Sequence, residues 1–203
     1  KLLENTVVLF TSDHGNHFKT RNGEYKRSCH EASIRTPAAL CGPGFDGRGA
    51  ISQLVSTVDL APTLLDAAGL PVPRGMAGRS LVPLVRDRDG TPWPDDVFIQ
   101  ISEAQTGRTV RTCRWKYSVR RPGEDELAPE TASSDIYEDD CLFDLEADPW
   151  ELTNLIGMPP FAGIVSDMRA RLVRRMRAAG EAAPRFIDAP EQPHGQRQVC
   201  YPG

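Results

Sequence analysis

The segment Ser12-Asp13-His14-Gly15 places a carboxylate and an imidazole next to each other, directly after an apolar stretch. That stretch, residues 6–11, is short and rich in β-branched side chains, which predicts a fully buried strand of the kind found in parallel sheets. In open α/β sheets, ligand sites lie just beyond the carboxyl ends of the strands. Asp supplies a hard oxygen donor and His a nitrogen donor, and this combination suits a divalent cation. Asp13 and His14 are therefore candidate metal ligands, and the other ligands of such a site must come from elsewhere.

The composition excludes several classes of function. The chain has 203 residues, with 24 Lys and Arg against 28 Asp and Glu, so its formal net charge is −4. This balance argues against a globally basic nucleic-acid binder, and no apolar run reaches the length of a membrane span. We expect neither a nucleic-acid partner nor a membrane span. The five cysteines form no Cys-x-x-Cys pair, so we interpret them as free or buried thiols rather than as a zinc or thioredoxin-type site.

Local patterns predict a mixture of helices and strands. Residues 59–69 predict a helix, with Pro62 in its first turn and Gly69 at its end. Residues 161–179 repeat apolar side chains at a spacing of four, which predicts an amphipathic helix whose many arginines form a solvated face. Four further segments have the composition of strands, and the middle two predict a hairpin: 97–101, 109–112, 115–119 and 141–145.

Four motifs, in order along the chain, resemble the sulfatase family. In the first, Lys26 follows Asp13 by thirteen residues, and an acidic segment of small residues then leads to Arg35-Thr36-Pro37. The other three are D-L-A-P-T-L-L-D-A-A-G at 59–69, R-T-C-R-W-K-Y at 111–117 and L-F-D-L-E-A-D-P-W-E-L-T-N-L at 142–155. Together they extend over about residues 6–155, so the resemblance covers most of the chain.

The resemblance implies roles for three residues of the first motif. Asp13 matches the family's metal-ligand Asp, and His14 matches the neighbouring position, which also faces the metal. Lys26 matches the Lys that contacts the sulfate oxygens, which makes it the candidate catalytic and substrate-binding residue. A cation and an ammonium group together stabilise the negative charge of a sulfate ester as its S–O bond breaks. The implied cofactor is a divalent cation, Ca²⁺ first, with Mn²⁺ or Mg²⁺ as alternatives; the nitrogen ligand that His14 would add leaves room for Mn²⁺.

The segment after Lys26 offers further candidates. His30 is a candidate substrate-binding residue that could also act as a proton donor. Glu31 and Arg35 are expected to stabilise the loop, with Arg35 paired to a local carboxylate. The implied substrate is a sulfate ester, either a small molecule or a glycan, and the sequence does not distinguish between them.

The sulfatase nucleophile is not found in this chain. Members of the family use a formylglycine that forms in a C/S-x-P-x-R context. Cys41-Gly42-Pro43-Gly44-Phe45 begins in the same way, but Phe45 stands where Arg is required and the segment lies after the metal motif. The chain also begins without Met or a signal-peptide pattern, so we interpret it as the C-terminal portion of a longer sulfatase, with localisation unassigned. We expect the formylglycine in a missing N-terminal part, which would also be a structural partner, and expect the chain alone to be inactive.

The expected fold is α/β with two units and a tail. Residues 1–90 are expected to be the closing part of a large mixed sheet with flanking helices. Residues 91–183 are expected to form a smaller antiparallel sheet with a packed helix, and residues 184–203 an extended tail. Two alternatives to a sulfatase stay open. One is a phosphonate or phosphodiester hydrolase of the alkaline phosphatase superfamily, and the other is a sulfatase-like binding module without catalytic activity.

Overall fold

The computed structural model describes residues 2–46, 49–87, 90–102, 105–123 and 132–191. Strand β1, Val8–Thr11, pairs antiparallel with β2, Ala38–Cys41, so that Thr11 lies opposite Ala38. The prediction of a fully buried parallel strand is wrong for β1, because its side chains alternate between exposed and half-buried and Phe10 is 66% exposed. Within the described residues β1 has one neighbouring strand, β2, and the exposed face of Phe10 is not covered by a packed layer.

Short helices follow this two-stranded sheet and stabilise its loops. Helix α1, Glu31–Ile34, lies between β1 and β2, and α2, Leu60–Ala67, follows a 3-10 turn over Thr57–Asp59. Asp59 fixes the start of α2, because its carboxylate accepts hydrogen bonds from the backbone N–H groups of Ser56 and Arg79, both at 2.8 Å. Helix α3, Val82–Arg86, was not predicted, because the Pro- and Gly-rich region that contains it shows little periodicity.

The second sheet has five strands in the order β3-β4-β5-β6-β7. The first three pairings are antiparallel, as predicted, and the last pairing, between β6 and β7, is parallel. The strands are β3 Asp96–Ile101, β4 Gly107–Thr112, β5 Trp115–Arg120, β6 Ile136–Asp144 and β7 Arg185–Ile187. Strand β7 falls in the predicted tail, whose residues 192–203 lie outside the described part of the chain. The division near residue 90 stays a prediction.

Helix α4, Ala162–Ala178, covers one face of this sheet. Met168, Leu172 and Met176 are buried on it and pack against Val110 and Leu142 of the sheet. The prediction of a solvated arginine face is wrong for three of its arginines, which are only partly exposed and form ion pairs with aspartates of the sheet and its flanking segments; a fourth, Arg174, forms such a pair but stays exposed. The four arginines are Arg169, Arg171, Arg174 and Arg175.

None of the described helices has the length and apolar composition of a membrane span.

Candidate active site

Gly15 joins the predicted metal motif to helix α1. Its N–H donates a 2.7 Å hydrogen bond to the carbonyl of Ser33. A Cβ atom at this position would lie 2.0 Å from the carbonyl oxygen of Ala32. Only glycine allows the backbone to approach α1 this closely, so Gly15 fixes the direction in which Asp13 and His14 leave β1.

Asp13 and His14 present one oxygen and one nitrogen donor to the surface. The His14 Nδ1 atom lies 2.7 Å from the Gly15 carbonyl oxygen, which can only accept, so Nδ1–H donates to it and Nε2 is the ring nitrogen left to face Asp13. Nε2 lies 3.3 Å from Asp13 Oδ2, and the two side chains are 32% and 82% exposed. Two ligands about 2.3 Å from one cation and about 90° apart lie roughly 3.2 Å from each other. The donor pair therefore fits a shared divalent cation.

This donor pair is an incomplete metal site within the described residues. Asp13 and His14 belong to no group of three His, Cys, Asp or Glu donors there. The one such group lies elsewhere and consists of Cys29, Asp140 and Cys141, with ligand atoms within 4.8 Å of one another. A cation at Asp13 and His14 would need further ligands from water, from substrate or from another part of the protein.

Lys26 is positioned by a buried histidine. The Nε2–H of His17 donates to the Lys26 carbonyl at 2.8 Å, and the His17 backbone N–H donates to the Tyr25 carbonyl at 2.9 Å. The Lys26 Nζ atom lies 5.5 Å from the centroid of the Tyr25 ring, and the His14 ring centroid lies 6.0 Å from that of Tyr25. Lys26 and His14 therefore both lie next to the Tyr25 ring. Sequence reasoning did not assign His17 this role, because its spacing gives no direction for the side chain.

His30 is half-buried and packs against the second sheet. Its Nδ1 atom lies 3.1 Å from Ser28 Oγ, and its ring centroid lies 5.5 Å from that of Phe143. Burial, together with the positive charges of Arg21 and Lys116, lowers the pKa of His30 from 6.5 to about 4. At neutral pH this imidazole is uncharged, which suits a hydrogen-bonding role better than that of a cationic proton donor.

Glu31 connects the candidate site to the five-stranded sheet. Its carboxylate accepts hydrogen bonds from Arg111 and from Lys116, each at 3.2 Å. Both partners of the Glu31 carboxylate lie far away in the sequence, at separations of 80 and 85 residues. Burial raises the pKa of Glu31, but the Arg111 hydrogen bond and the Lys116 charge outweigh it, so the net pKa lies below the ordinary value. Glu31 therefore stays ionised and fixes the start of α1.

Glu151 and Arg21 complete this connection. A Glu151 carboxylate oxygen accepts the Glu31 backbone N–H at 2.7 Å, and Lys116 forms an ion pair with the same carboxylate. Arg21 donates to the Glu151 carbonyl at 2.9 Å and to the Trp150 carbonyl at 2.6 Å. Glu151 has a left-handed backbone with φ of 56°, a costly conformation for a residue with a Cβ atom. Lys116 and Glu151 lie in two of the family motifs, and this was the available signal for their role.

Comparison with known proteins identifies the family. Residues 23–178 match the family described as N-sulphoglucosamine sulphohydrolase, C-terminal. The chain is 34% identical over 181 residues to Arylsulfatase K of Canis lupus familiaris. This alignment covers 85% of the chain and 32% of the relative. The chain therefore spans about a third of the length of this curated relative.

Solved structures give the same result. A 2-O GAG sulfatase has a TM-score of 0.69 at 29% identity, over 87% of this chain and 37% of its own. A protein solved in complex with its substrate D-glucosamine-2-N,6-O-disulfate has a TM-score of 0.67 at 26% identity, over 88% of this chain and 35% of its own. A phosphonate monoester hydrolase from Silicibacter pomeroyi shares the fold with a TM-score of 0.67 at 21% identity, over 86% and 35%. Motifs, fold and relatives agree, and the chain belongs to the sulfatase family as the C-terminal portion of a sulfatase.

Proposed function

We propose that this chain forms part of the active site of a hydrolase that cleaves sulfate esters. The observation that carries the proposal is that the donor pair of Asp13 and His14 and the Lys26 ammonium both lie close to the Tyr25 ring, with the His14 ring centroid 6.0 Å and the Lys26 Nζ atom 5.5 Å from its centroid. A sulfate group needs positive charge near its oxygens when its ester bond breaks, and these three side chains would place that charge on one face of the protein.

Asp13 and His14 would hold the divalent cation. A cation bound there would withdraw electron density from the sulfate group. The Gly15 carbonyl keeps the proton of His14 on Nδ1, so Nε2 stays available as a ligand without a change of tautomer. Asp13 supplies the hard oxygen that Ca²⁺ and Mg²⁺ prefer, and the imidazole leaves Mn²⁺ as an alternative.

Lys26 and His30 would bind the substrate. The Lys26 ammonium would donate hydrogen bonds to sulfate oxygens, and His17 would keep its backbone in place for that contact. His30 would contribute an uncharged imidazole. The nucleophile is proposed to be a formylglycine outside these 203 residues, in a preceding part of the protein, so the chain alone would lack activity.

The substrate class is proposed to be a sulfate ester of a sugar or of a small organic alcohol. The relatives support this range, because one is named an arylsulfatase and another was solved with a disulfated glucosamine. A second candidate, phosphonate or phosphodiester hydrolysis, is favoured by His14 as a nitrogen ligand and by an ammonium that would serve a phosphoryl group equally well.

The test compares the full-length protein on aryl sulfate, aryl phosphodiester and sulfated-sugar substrates. The proposal expects the highest kcat/KM on a sulfate ester. Lys26→Met should lower kcat/KM by about 10²–10³-fold, the range found when one oxyanion-stabilising donor is removed. Arg177→Met removes one positive charge from an exposed position on α4 and should leave kcat/KM unchanged. A preference for the phosphodiester would select the second candidate. Absence of turnover on all three, with a stable fold, would select the binding module.

A further inference from the structure

We propose that Cys29 and Cys141 form a disulfide that fixes the loop carrying Lys26 and His30 to the five-stranded sheet. The two Sγ atoms lie 3.4 Å apart, although the residues are 112 positions apart in the sequence. Cys29 directly precedes His30, and Cys141 lies on β6. This pairing is independent of the proposed hydrolase activity, since it concerns only how the two parts of the chain are joined.

The surroundings of the pair favour a crosslink over a surface thiol function. Both side chains are buried, and they share a small apolar cluster with Ile101 and Phe143. A disulfide between elements so distant in sequence restricts the unfolded chain strongly, which is where most of its stabilising effect arises. The other two described cysteines, Cys41 and Cys113, are exposed and have no sulfur partner in the described part of the chain.

A β-bulge in β6 brings the Asp140 side chain close to the two cysteines. Ser118 pairs with Cys141 and Val119 pairs with Asp139, so Asp140 is the extra residue of β6 at this point. The carboxylate of Asp140 thereby comes within 4.8 Å of both sulfur atoms. Three donors of this kind could also hold a metal ion. We favour the disulfide because no fourth His, Cys, Asp or Glu donor joins this group among the described residues.

The chemistry is a balanced exchange with a low-molecular-weight disulfide such as oxidised glutathione. Two S–H bonds break and one Sγ–Sγ bond forms, while the two protons and two electrons pass to the oxidant, which leaves as two thiols. The contact with Cys29 and burial raise the pKa of Cys141, so little thiolate is present in the closed structure. Exchange is therefore expected to occur while the loop is open, during folding or local unfolding.

The experiment is non-reducing peptide mapping of the full-length protein after exposure to oxidised glutathione. Trypsin separates every cysteine of this chain, because cleavage after Arg27 and Arg35 releases residues 28–35 and cleavage after Arg120 and Arg169 releases residues 121–169. The proposal expects these two peptides to be linked, with a mass lower by two hydrogen atoms than their sum, and to separate on reduction. Cys113→Ser should retain the linked pair, and Cys29→Ala should abolish it.

A second measurement covers the case in which a single variant fails to fold. Reduction should lower the Tm of the oxidised protein by about 5 °C or more, a shift expected for a crosslink over a long loop. The double variant Cys29→Ala/Cys141→Ala should show no such shift. Complete alkylation of both thiols after unfolding of the oxidised sample would overturn the proposal. Binding of one equivalent of Zn²⁺ that depends on both cysteines would overturn it in favour of a metal site.

Discussion

Lys116 forms a buried ion pair with Glu151, and the two side chains are 0% and 3% exposed. Lys116 comes from β5 and Glu151 from the loop before α4, and the Glu151 carboxylate also accepts the first backbone N–H of α1. One buried charge of the second sheet therefore fixes the segment that follows Lys26 and His30. The candidate site depends on a residue that lies well outside it.

Removal of the Lys116 side chain should lower the free energy of unfolding strongly. Lys116→Met leaves Glu31 and Glu151 as buried or half-buried carboxylates without their shared cation. Breaking a buried ion pair on one side costs about 3–5 kcal/mol. The free energy of unfolding, measured in urea, should fall by that amount. Arg120→Ala, which removes a half-exposed partner of Glu138 on the same strand, should cost no more than about 1 kcal/mol. Equal effects of the two changes would contradict the assigned importance of the buried pair.

Gly15→Ala tests the close approach of the metal motif to α1. The added Cβ would meet the Ala32 carbonyl at 2.0 Å, so the backbone must move and the hydrogen bond from Gly15 to Ser33 must lengthen. We expect a loss of about 1–3 kcal/mol in the free energy of unfolding, together with loss of activity in the full-length protein. The control is Gly163→Ala in α4, where nothing lies within 4 Å of the new Cβ. That change should stabilise the protein by about 0.5–1 kcal/mol.

His30 should make the stability depend on pH in a defined direction. Because burial holds the folded-state pKa of His30 at about 4, below the unfolded value of 6.5, the unfolded state takes up a proton first as the pH falls. The contribution is therefore complete above pH 6.5 and is lost progressively between pH 6.5 and 4. Unfolding curves of the wild type and His30→Gln across this range give the difference. A difference that stays constant with pH would show that His30 titrates normally.

Asp96 should contribute strongly to the free energy of unfolding, on the side of the second sheet that α4 covers. Its side chain is 0% exposed and contacts Arg171, Arg174 and Arg175 of α4. Asp96→Asn removes the charge that these arginines share and should cost about 3–5 kcal/mol in the free energy of unfolding. The neighbouring Asp95 is 70% exposed and pairs with Arg171 alone, so Asp95→Asn should cost at most about 1 kcal/mol. Thermal denaturation of both variants checks the difference.

The sequence predicted the elements whose patterns are local and strong. Strands β3, β4 and β5 and helix α4 lie within a few residues of their predicted bounds, because alternation and a spacing of four are visible within a short window. Strand β6 begins at Ile136, well before the predicted start at Cys141, because the charged residues Glu138, Asp139 and Asp140 hide its pattern. Helices α1 and α3 have only four and five residues, too few to show a helical period. The exposure of β1 could not be predicted, because an apolar strand does not reveal whether another layer covers it.

The candidate site was predicted by residue type but not by arrangement. Asp13, His14 and Lys26 were found from the family motif, and their roles stay proposals. The residues that hold the loop in place were missed, because Arg21 and Lys116 act on partners 130 and 85 positions away. No local pattern carries information about contacts of that range. Arg169, Arg171 and Arg175 of α4 were misjudged for the same reason, since the aspartates that neutralise them lie on distant segments.

The two-stranded sheet of β1 and β2 has a consequence for the order in which the molecule gains rigidity. A pair of strands alone is marginally stable in water, whereas the five-stranded sheet has its own core under α4. Amide hydrogens of β4, β5 and β6 should therefore exchange with solvent far more slowly than those of β1. The end of the chain that carries Asp13 and His14 would therefore be the last part to become rigid. A cation would then bind at Asp13 and His14 only after the rest of the chain has become rigid, and not before.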